Sequence, residues 1–405
     1  MNIVLFAHPN FLMQQSMPRF VQMLYNGFTA RGHQVKILRP EPFIYNLPLP
    51  VAFKKWLGYI DQYIVFAYQV KKKIKANSTD TLYVFTDHAL GPWVPLTAGR
   101  YSVIHCHDFL AQQSALGKIP ENKTGYTGRL YQQYIRKGYS QGVNFISVSN
   151  KTKEDLHHFL MRVPAVSKVV YNGLNQVCTP IETATARELL KKKINLDISD
   201  GYLLHVGGND WYKNRSGVIE LYTAWRLKSG RNLPLLLIGS IPSPAILSLA
   251  QQSGFQSSIH FLTGVDDENV RVAYSGATLM LFPSLAEGFG WPIAEAMACG
   301  CPVVTTSEAP MSEVAGDAGF LIAKKTFDKN HVNAWANEVA AIIEQVVALS
   351  PEKRKQVIKK GIENAKRFDT GKALDKIEEI YQFILTENAV VTGIKNADEL
   401  ITVTS

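Results

Sequence analysis

The chain alternates short apolar runs with amphipathic stretches, and the alternation starts twice. NIVLFA at residues 2–7 reads as a buried strand, MPRFVQMLYNGFTARGH as a helix and QVKILRP as the next strand. TLYVFT, YSVIHCHD and VNFISVS follow as further strands, then the helix KTKEDLHHFL and the strand KVVYNG. The series begins again at Tyr202 with the strand YLLHVGG, the helix RSGVIELYTAWRLKSG and the strands LPLLLIGS, IHFLTG, TLMLFPS and CPVVTT. Strands that alternate with helices pair in parallel, because each crossover helix covers a sheet face. Two such series predict an α/β protein of two doubly wound domains, joined near Cys178 to Thr185. A length of 405 residues agrees with two domains. The tail from Ser350 to Asn388 reads as helical, and its last helix, LDKIEEIYQFILTE, could end either domain.

Ligands of open parallel sheets bind outside the carboxyl ends of the strands, so the loops that follow strands carry the functional reading. After TLMLFPS comes SLAEGFGWPIAEAMACGCPVV. Pro292 suits the first position of a helix and Gly300 its stop. The loop before it then delivers a helix N-terminus, whose free N–H groups attract anions. Gly288 and Gly290 let the backbone approach a ligand closely. Glu287 before the helix and Glu295, expected in its first turn, would repel a phosphate placed on them. They can instead flank one and accept hydroxyl hydrogen bonds, as a nucleotide-sugar with a diol at each end requires.

A second loop, Asn209 to Arg215, follows YLLHVGG, whose Gly207 and Gly208 permit a tight turn. There Lys213 can meet a phosphate as a point charge and Arg215 as a fork. Gly208 just before this loop, Asn209 at its start, and Gly264, which ends IHFLTG, complete the candidate donor-binding set with Phe289 and Trp291. In the first half, YSVIHCHDFL ends a strand with His105, His107 and Asp108, each open to a core or a ligand-binding reading. HPNFLMQQSMPRF brings His8, Gln14, Gln15, Ser16 and Arg19 after the first strand.

The net charge of +9 points to an anionic partner. No recognised fold or aromatic–basic motif favours nucleic acid. Four cysteines are too few and too scattered for a disulfide framework, and Cys299-Gly300-Cys301 has no second cluster to complete a metal site. The start lacks a signal-peptide pattern, and the longest apolar-rich segment carries Asp61 and is too short to span a bilayer. A cytoplasmic protein is expected. FKKWLGYIDQYIVFAYQVKKKIK mixes aromatic residues with lysines. It reads equally as a segment lying on the inner face of an anionic membrane or as a partly buried helix with a solvated lysine end.

Taken together, these residues resemble the retaining glycosyltransferases of family 4, which have the GT-B fold of two Rossmann-like domains facing each other across a cleft. SLAEGFGWPIAEAMACGCPVV resembles the glutamate-x7-glutamate signature of that family, VGGNDWYKN its donor-phosphate loop, SVSNKTKEDL and VVYNGLN its helix entry and interdomain segments, and HDF its acceptor-side histidine-aspartate stretch. The resemblance implies an acceptor-side domain at 1–178, with the helix of about 376–405 able to pack back on it, and a donor domain at 179–375. It implies that Glu295 holds the nucleotide ribose, that Glu287 and the amides of Phe289 to Trp291 face the donor sugar, and that Lys213 binds the diphosphate. His107 would sit near the sugar or phosphate; Gln15, Ser16 and Asp108 would lie on the acceptor side. The chain departs from the family at Tyr212, where arginine is common, at Asn175, where a carboxylate is common, and at QQSMP, which lacks the usual glycine pair. The expected reaction moves a hexosyl group from a nucleoside diphosphate sugar to a hydroxyl of a glycan, lipid-linked or small-molecule acceptor. No cofactor or metal is expected, since no Asp-x-Asp is present to hold one. A nucleotide-sugar epimerase and a non-catalytic sugar-nucleotide- or glycan-binding homologue remain as alternative readings.

Overall fold

Burial on both faces explains why the strands read as solid apolar runs. The computed structural model describes residues 1–12, 16–160, 162–174, 178–326 and 328–386. Among them are two six-stranded parallel sheets. The first comprises β1 (Asn2–Phe6), β2 (Gln34–Leu38), β3 (Leu82–Phe85), β4 (Ser102–Cys106), β5 (Asn144–Ser147) and β6 (Val166–Val169), in the order β2-β1-β3-β4-β5-β6. The second comprises β7 (Leu203–Val206), β8 (Leu235–Ile238), β9 (Ile259–Leu262), β10 (Leu279–Phe282), β11 (Val303–Thr306) and β12 (Phe320–Ile322), in the order β12-β11-β10-β7-β8-β9. β12 lies outside the expected series: it is three residues long and half exposed at the sheet edge, too short to show a pattern.

Each sheet reverses its direction of growth once. In the first, the chain leaves β1 for β2 and then returns to β3 on the other side of β1, with Ile3 opposite Leu82 and Phe6 opposite Phe85. In the second, it runs outward from β7 through β8 to β9 and returns to β10 on the other side of β7, with Leu279 opposite Leu203. The loops that follow β1 and β3, and those that follow β7 and β10, therefore diverge and leave a crevice between them.

The first core gathers Phe6 stacked on Phe85 at 4.6 Å between ring centroids, with Phe66 and Trp93 packed beside them. Trp93 belongs to a buried 3-10 segment, His88–Thr97, whose Pro92 and Pro95 hid it from a periodicity reading. The helix Tyr126–Tyr139 meets this segment backbone to backbone: a Cβ on Gly138 would come within 2.1 Å of the Gly91 carbonyl oxygen. The second core joins Leu203, Leu235 and Leu279 to Val218 and Trp225 of the helix Arg215–Ser229 and to Ile343 of Lys329–Val347.

The chain divides into two compact units, Met1–Asn175 with Thr370–Ser405, and Gln176–Asp369. The divisions fall a few residues before the boundaries expected from the sequence. The helix Thr370–Thr386 packs on the first unit, where the Tyr381 hydroxyl donates to His105 Nε2 at 2.7 Å and His33 Nε2 donates to Glu378 Oε1 at 2.7 Å. His105 is thus a core residue. Burial pushes its imidazole down to about 3, and likewise that of His205 on β7.

Both histidines are neutral in the native state and protonate in the unfolded chain below about pH 6.5. Their folded values lie below the unfolded one, so stability falls as pH falls from about 6.5 toward 3. Each unit is expected to lose up to about 1.4 kcal/mol per pH unit from its own histidine. Urea unfolding monitored between pH 7 and 5 checks this; a midpoint that does not move contradicts it.

Candidate active site

In the second unit the crevice between β7 and β10 is bridged by charge. The Lys213 ammonium, after β7, donates to both carboxylate oxygens of Glu287, after β10, at 2.8 and 3.0 Å. Ser284 Oγ donates to the same carboxylate at 2.6 Å. The two loops are laced further by backbone. The Tyr212 carbonyl accepts from Leu285 N at 2.7 Å and lies 2.8 Å from Ser284 Oγ, where it shares the hydroxyl proton with Glu287, and Asn214 Nδ2 donates to the Pro283 carbonyl at 2.9 Å. Asn214 takes the left-handed conformation and accepts from Gly217 N, which caps the helix Arg215–Ser229. The Lys213 Nζ also lies 5.2 and 5.3 Å from the ring centres of Tyr212 and Phe282.

The helix Trp291–Ala298 starts from Gly290, whose φ of 99° suits glycine, and no side chain caps it. This start makes Trp291, rather than Pro292, the first helical residue. Glu295 therefore lies in the second turn, not the first, and shares a helix face with Trp291 four residues earlier. Glu295 Oε2 accepts from the Tyr274 hydroxyl at 3.3 Å. The Trp291 indole N–H is buried and has no hydrogen-bond partner. The Phe289 ring turns away into the core against Phe368 at 5.4 Å, so only its backbone borders the loop with Gly288.

On the other side of β7, Arg215 is only 3% exposed and lies 5.5 Å over the Phe261 ring of β9. Its Nη1 donates to Asn209 Oδ1 at 2.6 Å and to the Ser240 carbonyl at 2.9 Å, while Nε and Nη2 remain buried and unpartnered. Asn209 holds this guanidinium from the outside, with its own amide donating to the Ile241 carbonyl. Gly208 lies between these groups, 3.2 Å from Ser240 Oγ by its virtual Cβ, and Gly264 turns in open space beyond β9. Buried donors without acceptors are costly; an anion with several oxygens is the complement that such a set calls for.

The first unit has a matching pair at its own crevice. His8 Nε2, after β1, donates to Asp87 Oδ2, after β3, at 2.9 Å, and His88 Nδ1 lies 2.9 Å from Asp87 Oδ1. Burial opposes ionisation of Asp87, but His88 and His8 outweigh it and hold the carboxyl well below the usual range. His88 is correspondingly raised against its own burial. His107 is buried, with Nε2 donating to the Thr86 carbonyl at 2.9 Å; burial keeps it below the ordinary histidine range despite the nearby Asp87. Only its Nδ1 is left for a ligand. Asp108 Oδ1 accepts from Leu110 N at 3.0 Å and shapes the start of the helix Leu110–Ala115.

The structure thus brings Glu287, Lys213 and Ser284 into direct contact, and Asn209 onto Arg215. Gln14 and Gln15 lie outside the described residues, and Ser16 is described only as the start of the helix Ser16–Ala30. The sequence reading missed Asp87, His88, Tyr274 and Ser284. A strand-end position is the one signal that marks Asp87 and Ser284, and it becomes specific only once the strand order is known. The four cysteines are free thiols, three of them buried.

Residues 17–176 match the family described as Glycosyltransferase Family 4, and residues 186–364 match Glycosyl transferases group 1. The O-antigen chain mannosyltransferase B of Escherichia coli is 35% identical over 33% of this chain and 34% of its own length. An uncharacterized glycosyltransferase of Methanocaldococcus jannaschii is 25% identical over 54% of this chain and 61% of its own. The chain thus spans between a third and three fifths of these two relatives. Among solved structures, a sucrose-phosphate synthase from Thermosynechococcus elongatus superposes with a TM-score of 0.72 at 17% identity, covering 96% of this chain and all of that one. An Anabaena protein, HepE, solved in complex with UDP and glucose, superposes at 0.69 with 16% identity, covering 94% of this chain and all of that one. With one family match over each sheet-bearing unit and the same two-sheet architecture in its structural neighbours, the chain belongs to the family 4-type glycosyltransferases of the GT-B fold.

Proposed function

We propose that the protein is a retaining glycosyltransferase that moves a hexosyl group from a nucleoside diphosphate sugar to a hydroxyl of a glycan, lipid-linked or small-molecule acceptor. The observation that carries this reading is the Lys213–Glu287 pair at the crevice of the second sheet. It places a cation and a carboxylate where open parallel sheets bind nucleotides. The HepE complex with UDP and glucose and the mannosyltransferase among the relatives support the same donor class.

Loss of a diphosphate from an anomeric carbon builds negative charge on the phosphate and positive charge on the sugar. In this reading Lys213 and the uncapped helix start at Trp291 stabilise the first charge, an electrostatic contribution that is often the largest catalytic term. Arg215, buried on the other side of β7, adds positive charge behind the Lys213 loop. Glu287 faces the sugar while it steadies Lys213, and Glu295 accepts from the ribose hydroxyls. The acceptor hydroxyl arrives on the leaving-group face, and the departing phosphate oxygen takes its proton, so no covalent nucleophile is assigned. His107 sits near the sugar or phosphate, and Asp108 serves the acceptor side. The positive charge supplied by Lys213 makes a divalent metal unnecessary in this scheme.

Glu287→Gln and Lys213→Ala are each expected to lower transfer at least tenfold, toward the 10²–10³ typical of a lost charge-stabilising donor. Melting curves establish that the variants fold; near-wild-type turnover in both contradicts the assignment. Glu295→Ala is expected to weaken UDP or GDP binding at least tenfold in calorimetry while inorganic pyrophosphate binding is kept; equal losses for both ligands exclude a ribose role. Transfer measured with a panel of nucleoside diphosphate sugars is expected to persist in EDTA, and donor incubated alone to show no epimerised sugar.

A further inference from the structure

The exposed apolar side chains of the first unit form an organised surface. Along the helices Val51–Ile60 and Phe66–Ala76, joined by the π-helical turn Asp61–Val65, the residues Trp56, Ile60, Ile64 and Tyr68 recur every four positions. Trp56, Ile64 and Tyr68 are 57, 65 and 75% exposed. A spacing of four drifts around a helix of 3.6 residues per turn, and the wider π turn absorbs that drift. The opposite side, with Leu57, Phe66, Val70 and Ile74, is already buried. Core packing therefore does not require the exposed stripe.

A second stripe lies beside the first. Tyr126, Leu130 and Tyr134 are exposed at the same spacing on the helix Tyr126–Tyr139. An aromatic seam joins the two: Tyr59 stacks on Tyr131 at 5.3 Å, Tyr63 and Tyr131 share a hydroxyl hydrogen bond of 2.7 Å, and Tyr63 meets Tyr134 edge-on at 5.6 Å. The loop before the first stripe is pinned in place. The buried Asp61 carboxylate accepts from Ile44 N at 2.9 Å and Tyr45 N at 2.8 Å, and Lys54 Nζ donates to the carbonyls of Tyr45 and Leu47. This holds Phe43 and Leu47 outward.

Charge selects the occupant. Residues 42–78 contain six lysines and one carboxylate, Asp61, which is buried. Lys71, Lys72 and Lys75 continue the exposed line beyond Tyr68, and Arg129 and Lys137 are exposed on the neighbouring helix. A second copy of the chain would bring these like charges together. An anionic surface draws them in, and tryptophan and tyrosine suit a boundary that is apolar on one side and wet on the other. We propose that this surface docks on the headgroup–acyl boundary of a bilayer containing anionic phospholipid, with the apolar stripes inserted and the lysines on the headgroups. The docking is independent of the donor-site chemistry.

Flotation of the full chain with vesicles of phosphatidylcholine, alone or mixed with phosphatidylglycerol, tests it. The chain is expected to float with the mixed vesicles only, and less as salt rises. Trp56→Ser with Ile64→Ser, and separately Lys71→Glu with Lys72→Glu, should each lower the bound fraction at least fivefold, since one lysine near an anionic surface is worth roughly that factor. These exposed substitutions should leave the melting temperature and UDP or GDP binding unchanged. Absence of flotation, flotation indifferent to both double variants, or a lipid-free dimer that Trp56→Ser with Ile64→Ser dissociates would each overturn the proposal.

Discussion

The contact between Lys213 and Glu287 organises the second unit's functional end. As a stabiliser it has little to recommend it, because desolvating two charges cancels most of their attraction. Its position explains it better. Lys213 is carried by the loop after β7 and Glu287 by the loop after β10, and those strands are hydrogen-bonded neighbours from which the chain departs in opposite directions. Ser284, Asn214 and the Tyr212 carbonyl then fasten the two loops together. The result is a charged pair fastened by hydrogen bonds at the crevice, which is the preorganisation that the proposed electrostatic role needs.

The first unit repeats the device with different chemistry. Asp87 reaches His8 at the divergence of β1 and β3, as Glu287 reaches Lys213 at that of β7 and β10. In both cases a carboxylate from the returning strand meets a cationic or proton-bearing group from the strand it rejoined. An imidazole bonds the carboxylate in the first pair and an ammonium bonds it in the second. Similar topology thus supports two electrostatic environments.

Much of this was legible in the sequence. Fully buried parallel strands announce themselves as apolar runs, and β3, β4, β8, β10 and β11 all lie where those runs are. The loop with Glu287 and the helix that follows were readable from glycine and proline placement. What escaped was whatever depends on strand order or on one residue's backbone. Asp87 looks like any loop aspartate until β3 is known to pair with β1. Glu295 moved one position along, out of the first turn, because Gly290 ends the loop one residue earlier than Pro292 indicated. Asp61, which argued against a bilayer span, is buried as the acceptor for two backbone amides, a role that the sequence does not display.

The helix Thr370–Thr386 has a consequence for how the molecule is made. It supplies Tyr381 to His105 and Glu378 to His33, yet it is translated after every strand of the other sheet. During synthesis the early segment must wait for its last packing partner while roughly two hundred intervening residues emerge, a delay of about 10–40 s at common ribosomal speeds. The second unit is in effect an insertion that can finish folding first, and the earliest-made part of the polypeptide is the last to be completed.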